Sequence, residues 1–343
     1  MVYPQTTNVH LNHLNGSFLE MQMEKRSIRR VGNLVGLAWF IPNIAVQLLL
    51  IIYQVVGVYI NARGDSTLLA LLSDPMFGLV LQLGLSVIIF IPSYAIVAGR
   101  LAPKKPDARP VIEFGKFKPG LGAAVILIGY GTFMLGNMAT NILSQILTNF
   151  TGYTPHQGSL DLPDGIYGAV FYLIVSSVVP ALVEEFAMRG AVMGTLRPYS
   201  QPFAIVASSV IFGVMHGNMI QAPFAFVGGL AIGYAAIVTR SIWPAVITHF
   251  LINFTATIYD FLPETVYNVY SVVHVMAMLF SLVIGVLLLL KYKPRPFDIK
   301  GSDSLGGTQR AVAFFTAPAM IVALVFVLFE SLLTAALTGF LMQ

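Results

Sequence analysis

From Leu34 onward the chain falls into nine apolar runs, roughly 34–60, 77–98, 121–147, 166–188, 202–217, 222–238, 242–259, 269–290 and 311–337, separated by short polar or Pro/Gly-containing stretches. Crossing the hydrocarbon of a bilayer takes about 20 predominantly apolar residues in a helix. The pattern therefore predicts an all-α polytopic membrane protein, a bundle of eight or nine transmembrane helices. The fifth run is the weakest: Pro198 and Pro202 bound its start and Gly217-Asn218 its end, which fits a short span or a re-entrant half. Residues 1–33, 99–120 and 291–310 are polar but too short for domains of their own. The expected organisation is a polar tail over 1–33, with no apolar core of signal-peptide length, and one transmembrane helical domain over 34–343. Residues 148–164, with Asn149, Gly152, Pro155, Gly158 and Pro163, read as an irregular connecting loop.

Composition sharpens this picture. Hydrophobic residues make up 57% of the 343 and charged residues only 10%, against about 25% charged in an ordinary soluble domain. Most soluble enzymes, disordered chains and nucleic-acid binders with a basic face are thereby excluded. With the N-terminus in the cytoplasm and the side alternating at each span, 18 of the 19 Lys and Arg residues fall inside, leaving Arg63 outside. Asp65, Asp74, Asp161, Asp164, Asp260 and Glu264 fall outside. That asymmetry is what the positive-inside rule requires, and it predicts a multi-pass protein of the cell membrane with a cytoplasmic N-terminus. The chain has no cysteine, which excludes disulfides, thiolate metal sites and a cysteine nucleophile.

Few ionisable groups remain inside the spans: Glu184, Glu185 and Arg189 in the fourth, His216 in the fifth, His249 in the seventh, His274 in the eighth and Glu330 in the ninth. Such groups are costly at bilayer depth and mark functional sites by default. Glu185 and Arg189 are spaced i,i+4 with the acid first, the favourable order for an ion pair on a helix. Glu184 is rotated about 100° away, free to point into another space. His249 and Asn253 share a face at the same spacing, and Phe212 precedes His216 by one turn. Taken singly, each motif has a plain reading as a helix end or interhelical hydrogen bonding. Together they supply a carboxylate to activate water, imidazoles to hold that water or a zinc ion, and donors for an oxyanion. Those are the needs of peptide hydrolysis.

In order and spacing, Glu184-Glu185-x-x-x-Arg189, Phe212-x-x-x-His216 and His249-x-x-x-Asn253 resemble the three motifs of the CAAX protease and bacteriocin-processing (Abi) family of intramembrane proteases, which includes the type II CAAX prenyl endopeptidases. Gly228-Gly229-x-x-x-Gly233 and Trp243-Pro244 look like the same family's glycine-rich helix and its turn into the third motif. The resemblance covers about 166–256. It implies proteolysis within the membrane, of a membrane-associated peptide or protein, in a conical cavity. Glu184 would be the water-activating base, and His216 would position the water or ligate a metal. His249 and Asn253 would stabilise the oxyanion; Glu185, Arg189 and Phe212 would support the site. One divalent metal such as zinc on Glu184, His216 and His249 is compatible with the motifs, as is a metal-independent glutamate mechanism. The alternatives are a non-catalytic bacteriocin-immunity or scaffold protein of the same fold, or a proton-coupled transporter, for which the internal repeat expected of many transporters is missing. Gly229 and Gly233 are expected to pack in the core, with a homodimer contact left open. His274 and Glu330 lie outside the motifs and are expected to hydrogen-bond within the bundle.

Depth sets a condition on this site. Counted from the helix ends, Glu184, His216 and His249 converge only if the fourth helix continues past Arg189 or the fifth is tilted or starts late. A separation of Glu184 from both histidines above about 12 Å would defeat a shared site.

Overall fold

The computed structural model describes residues 6–103, 109–151, 162–218, 221–294 and 305–341, and among these the fold is all-helical apart from an isolated antiparallel bridge between Phe114 and Ser241. Lys104, Lys105, Asp161, Arg295, Lys300 and most of the 148–164 loop lie outside the described residues. In chain order the helices are α1 (Thr6–Arg63), α2 (Ser66–Ser73), α3 (Pro75–Leu85), α4 (Ile91–Arg100), α5 (Pro119–Thr151), α6 (Gly165–Leu173), α7 (Val179–Glu185), α8 (Met193–Leu196), α9 (Gln201–Val214), α10 (Gln221–Thr239), α11 (Trp243–Ile258), α12 (Glu264–Tyr292), α13 (Gly307–Phe315) and α14 (Pro318–Leu341). Short π-helical stretches over Ser86–Phe90, Ile174–Val178 and Phe186–Val192 join α3 to α4, α6 to α7 and α7 to α8.

Each apolar run coincides with a helix, but fewer of them can span than the sequence suggests. Among the described residues, six helical segments are long and apolar enough to cross a membrane, or seven if the bent α13–α14 pair is one span. The fifth and seventh runs form α9, 14 residues, and α11, 16 residues. At 1.5 Å per residue these reach about 21 and 24 Å, short of a 30 Å hydrocarbon layer. They carry the second and third motifs. α9 is buried along most of its length, so its apolar character serves the interior of the bundle. The ninth run breaks with a bend of 74° between Phe315 and Pro318. Pro318 gives no N–H and its ring clashes with a helical carbonyl four residues back, which disfavours one continuous helix there. Asn33 Oδ1 accepts from the partly buried amide of Ala319 at 3.0 Å, satisfying a donor at the new helix start.

The helix of the first run extends back to Thr6, so position 33 falls inside α1 and not at a structural break. Ile28, Val31, Val35 and Trp39 recur at helical spacing and are buried, forming a stripe that α13 and α14 cover. Gly36 is what allows the approach: a Cβ there would lie 2.4 Å from the Met320 amide nitrogen and 2.5 Å from the Ala319 carbonyl carbon. Because those are backbone atoms, Gly36→Ala is expected to force α1 from α14 and lower stability by about 1–3 kcal/mol, read as a fall in thermal midpoint of the detergent-purified protein.

The fourth run meets the depth condition. It is one helical segment, Gly165–Leu196, reaching seven residues past Arg189. Glu184 is thereby about 18 Å from its end, by helix rise. The π-helical stretch Ile174–Val178 lies just ahead of Pro180, a proline that has no N–H to return to the ladder. A second one, Phe186–Val192, follows Glu184 and Glu185 directly. Widened turns of this kind recur at functional sites.

Candidate active site

α7 delivers Glu184 and Glu185 in opposite senses. Glu185 is fully buried, and its Oε1 accepts from Arg189 Nη1 at 2.9 Å and from His249 Nδ1 at 2.8 Å. Arg189 also donates through Nη2 to the Gly229 carbonyl at 3.2 Å, and its guanidinium lies 4.5 Å over the Phe212 ring. Glycine at 229 fits this packing, because a Cβ would come within 3.2 Å of Arg189 Nη2 and 3.1 Å of the Ser209 Cβ. The Gly229 and Gly233 positions are thus used against Arg189, Ser209 and Ile205 of the same chain.

An ionised carboxylate only accepts, so the Glu185 contact fixes the proton of His249 on Nδ1. Nε2 is left as the free nitrogen, and it faces Glu184 Oε2 across 3.9 Å. That gap is too long for a direct hydrogen bond and suits one water molecule bonded to both groups. The 3.9 Å separation also meets the distance condition set above. Glu184 is 24% exposed, while its Oε2 is buried and makes no hydrogen bond. It borders an open cleft of about 170 Å³ whose walls come from α1, the α3–π stretch, α7 and Met215.

Phe212 holds the second motif against the first. Its ring stands edge-on to His249 at 5.6 Å and to His216 at 5.1 Å. His216 lies in the turn just after α9, half-buried, and its Nδ1 donates to the Phe212 carbonyl at 2.6 Å. Its free nitrogen, like that of His249, is Nε2. Asn253 is half-buried one turn beyond His249 on α11.

Zinc sites in proteins use three or four side-chain ligands. Among the described residues no three His, Asp or Glu side chains converge on a metal position. Glu184 and His249 form a pair, but His216 does not complete the three-ligand set expected from the motifs. It joins the array through the Phe212 ring. The residues therefore do not fit that centre, and the chemistry below is written on their own acid–base groups.

Sequence reasoning missed two contributors. Ser331 of α14 donates to the Gly217 carbonyl at 2.7 Å, pinning the residue after His216, where φ is +60° and glycine is favoured. A serine beside Glu330 in an apolar span was the available signal. Ser331→Ala is expected to speed hydrogen exchange in the 213–218 turn about fivefold, the equivalent of one hydrogen bond of about 1 kcal/mol, read by mass spectrometry. Tyr94 of α4 is fully buried with an unbonded hydroxyl, within electrostatic reach of Glu184. The other two intramembrane groups lie elsewhere: His274 Nδ1 pairs with the Tyr259 hydroxyl at 3.2 Å, and Glu330 lies beside Gln47 with its Oε1 buried and unbonded.

A multi-pass helical membrane protein with a buried Arg–Glu–His chain facing a glutamate whose Oε2 is unbonded is the class that fold and site define. Residues 166–255 match the family described as Type II CAAX prenyl endopeptidase Rce1-like, so the likeness read from the three motifs is found again over that segment. Over 91 residues, 26% of this chain, the sequence is 30% identical to "Putative membrane peptidase YdiL" of Bacillus subtilis (strain 168). The matched stretch is 37% of that protein, so the chain spans little more than a third of the relative. No solved structure matches. Every motif residue named above lies within 166–255; α1 to α5 and α12 to α14 lie outside it.

Proposed function

We propose that the protein is an intramembrane endopeptidase that hydrolyses a peptide bond of a membrane-associated peptide or protein, with its N-terminus in the cytoplasm. The observation that carries this reading is the unbonded Glu184 Oε2 facing His249 Nε2 at 3.9 Å, with His249 held in one tautomer by Glu185. A water placed there gives one O–H to each group and turns its lone pair outward. Glu184 takes the proton as the water oxygen bonds to the scissile carbonyl carbon. The carbonyl π electrons move to oxygen, giving an oxyanion to which Asn253 is assigned as donor, with His216 beside it against the Phe212 ring. Collapse reforms the carbonyl and breaks the C–N bond. Glu184 returns its proton to the leaving nitrogen. His249 here holds the water, the place the motifs gave to His216. Arg189 and Glu185 act by orientation and do not touch substrate.

Comparative membrane peptidomics tests the reading. Cells expressing the wild-type chain are expected to contain membrane-derived fragments that vanish with Glu184→Gln; identical fragment sets would overturn it.

A further inference from the structure

The cleft beside Glu184 contains one side chain out of place in a lipid-facing helix. Gln82 of α3 is exposed and lines the cleft, in a span with mean hydropathy 2.1. An exposed carboxamide at bilayer depth is unfavourable unless something polar pairs with it. The neighbouring polar residue, Ser86, donates to the Gln82 main-chain carbonyl at 2.9 Å, and among the described residues no hydrogen bond reaches the carboxamide itself. The other walls are mostly apolar: Val46 of α1, Leu85 and Ile89 of the α3–π stretch, Val183 of α7 and Met215.

Register places Gln82 relative to Glu184. Leu79 packs with Tyr172 and Val175, which aligns α3 with the α6–α7 segment. Gln82 then lies about seven residues from the Glu184 level along the axis, roughly 11 Å by helix rise, toward the end of the bundle bearing Asp65 and Asp74. Extended chain covers that span in about three residues. A main-chain peptide unit offers one donor and one acceptor, which is what a glutamine side chain complements. An acyl or prenyl chain offers neither.

We propose that Gln82 is a substrate-binding residue. It takes the backbone of an extended apolar polypeptide segment about three residues from the scissile bond, while the cleft's apolar walls take its side chains. This rests on the endopeptidase reading and names its substrate class: an unwound apolar segment lying in the bilayer, whose free peptide groups need partners there. Gln82 and the walls from α1 and the α3–π stretch lie outside the stretch matched to the family, whereas Val183 and Met215 lie within it.

Two measurements test it. On fragments whose release depends on Glu184, Gln82→Leu is expected to raise KM about tenfold with kcat changed less than twofold, and Gln82→Asn to recover part of the loss. Unchanged or lower KM would mean that the cleft holds a hydrocarbon chain, and would overturn the proposal. The second readout needs no catalysis. The chain lacks cysteine, so Gln82→Cys in the Glu184→Gln background carries a single thiol. A synthetic Leu/Ala-rich peptide with charged ends is expected to slow maleimide labelling of that thiol about tenfold, and farnesol is expected to leave it unchanged. Equal protection by farnesol, or none by the peptide, would overturn the proposal. If Glu184→Gln leaves cleavage intact, the endopeptidase reading fails by itself, and the labelling result still decides whether the cleft binds peptide.

Discussion

Glu184→Gln is expected to reduce peptide cleavage by about 10³-fold, within the 10²–10⁴ range for loss of a general base, with the fold unchanged. The carboxamide has nearly the same shape but cannot accept the proton of water. Glu184 is suited to this test because its Oε2 makes no hydrogen bond, and its approach to His249, at 3.9 Å, is a loose one. Little structural energy should therefore be lost, and the thermal midpoint should stay within a degree or two. Single-turnover rates and thermal unfolding on one preparation separate the two quantities. A variant that retains cleavage would move the base elsewhere.

Arg189→Met is expected to produce the largest loss of stability. The arginine neutralises Glu185 where both side chains are 0% exposed, and it also serves the Gly229 carbonyl and the Phe212 ring. Removing one partner of a buried ion pair leaves the other charge uncompensated, at a cost of about 3–5 kcal/mol. The double variant Arg189→Met with Glu185→Leu should regain much of that stability, since a matched apolar pair removes the stranded charge. It should remain inactive, because His249 loses the carboxylate that fixes its tautomer. Thermal unfolding of the single and double variants in detergent checks the first part, and peptide release checks the second. A single variant as stable as wild type would show that the Glu185 charge is compensated by other means.

The sequence disclosed the helices more readily than their roles. Apolar runs report burial in lipid and burial in protein alike, so α9 and α11 looked like spans although they are too short to cross. The end of the fourth run at Met188 was misleading for a related reason: the charge of Arg189 resembles a membrane boundary, yet the mostly apolar residues Gly190 to Leu196 beyond it are helical and buried in protein. The three motifs singled out Glu184, Glu185, Arg189, His216 and His249 because ionisable groups are rare inside the apolar runs, and Phe212 and Asn253 followed from their one-turn spacing to the histidines. Their pairing was not readable. Helix spacing gave Glu185 to Arg189, and only the crossing of α7 and α11 gives it to His249 as well. Tyr94 was invisible for the same reason, and Ser331 was marked only by its place beside Glu330, since each reaches the site through helix packing at long sequence separation. Gln82 was overlooked because an uncharged residue leaves the apolar pattern of its span intact.

The central claim is that water held by Glu184 and His249 attacks a peptide bond inside the membrane. It is tested most directly by incubating purified protein in proteoliposomes with a membrane-protein extract in ¹⁸O-labelled water, then sequencing new C-termini by mass spectrometry. The wild-type chain is predicted to generate new carboxyl termini carrying ¹⁸O, and Glu184→Gln to generate none. Labelled termini at equal yield from both proteins would contradict the account.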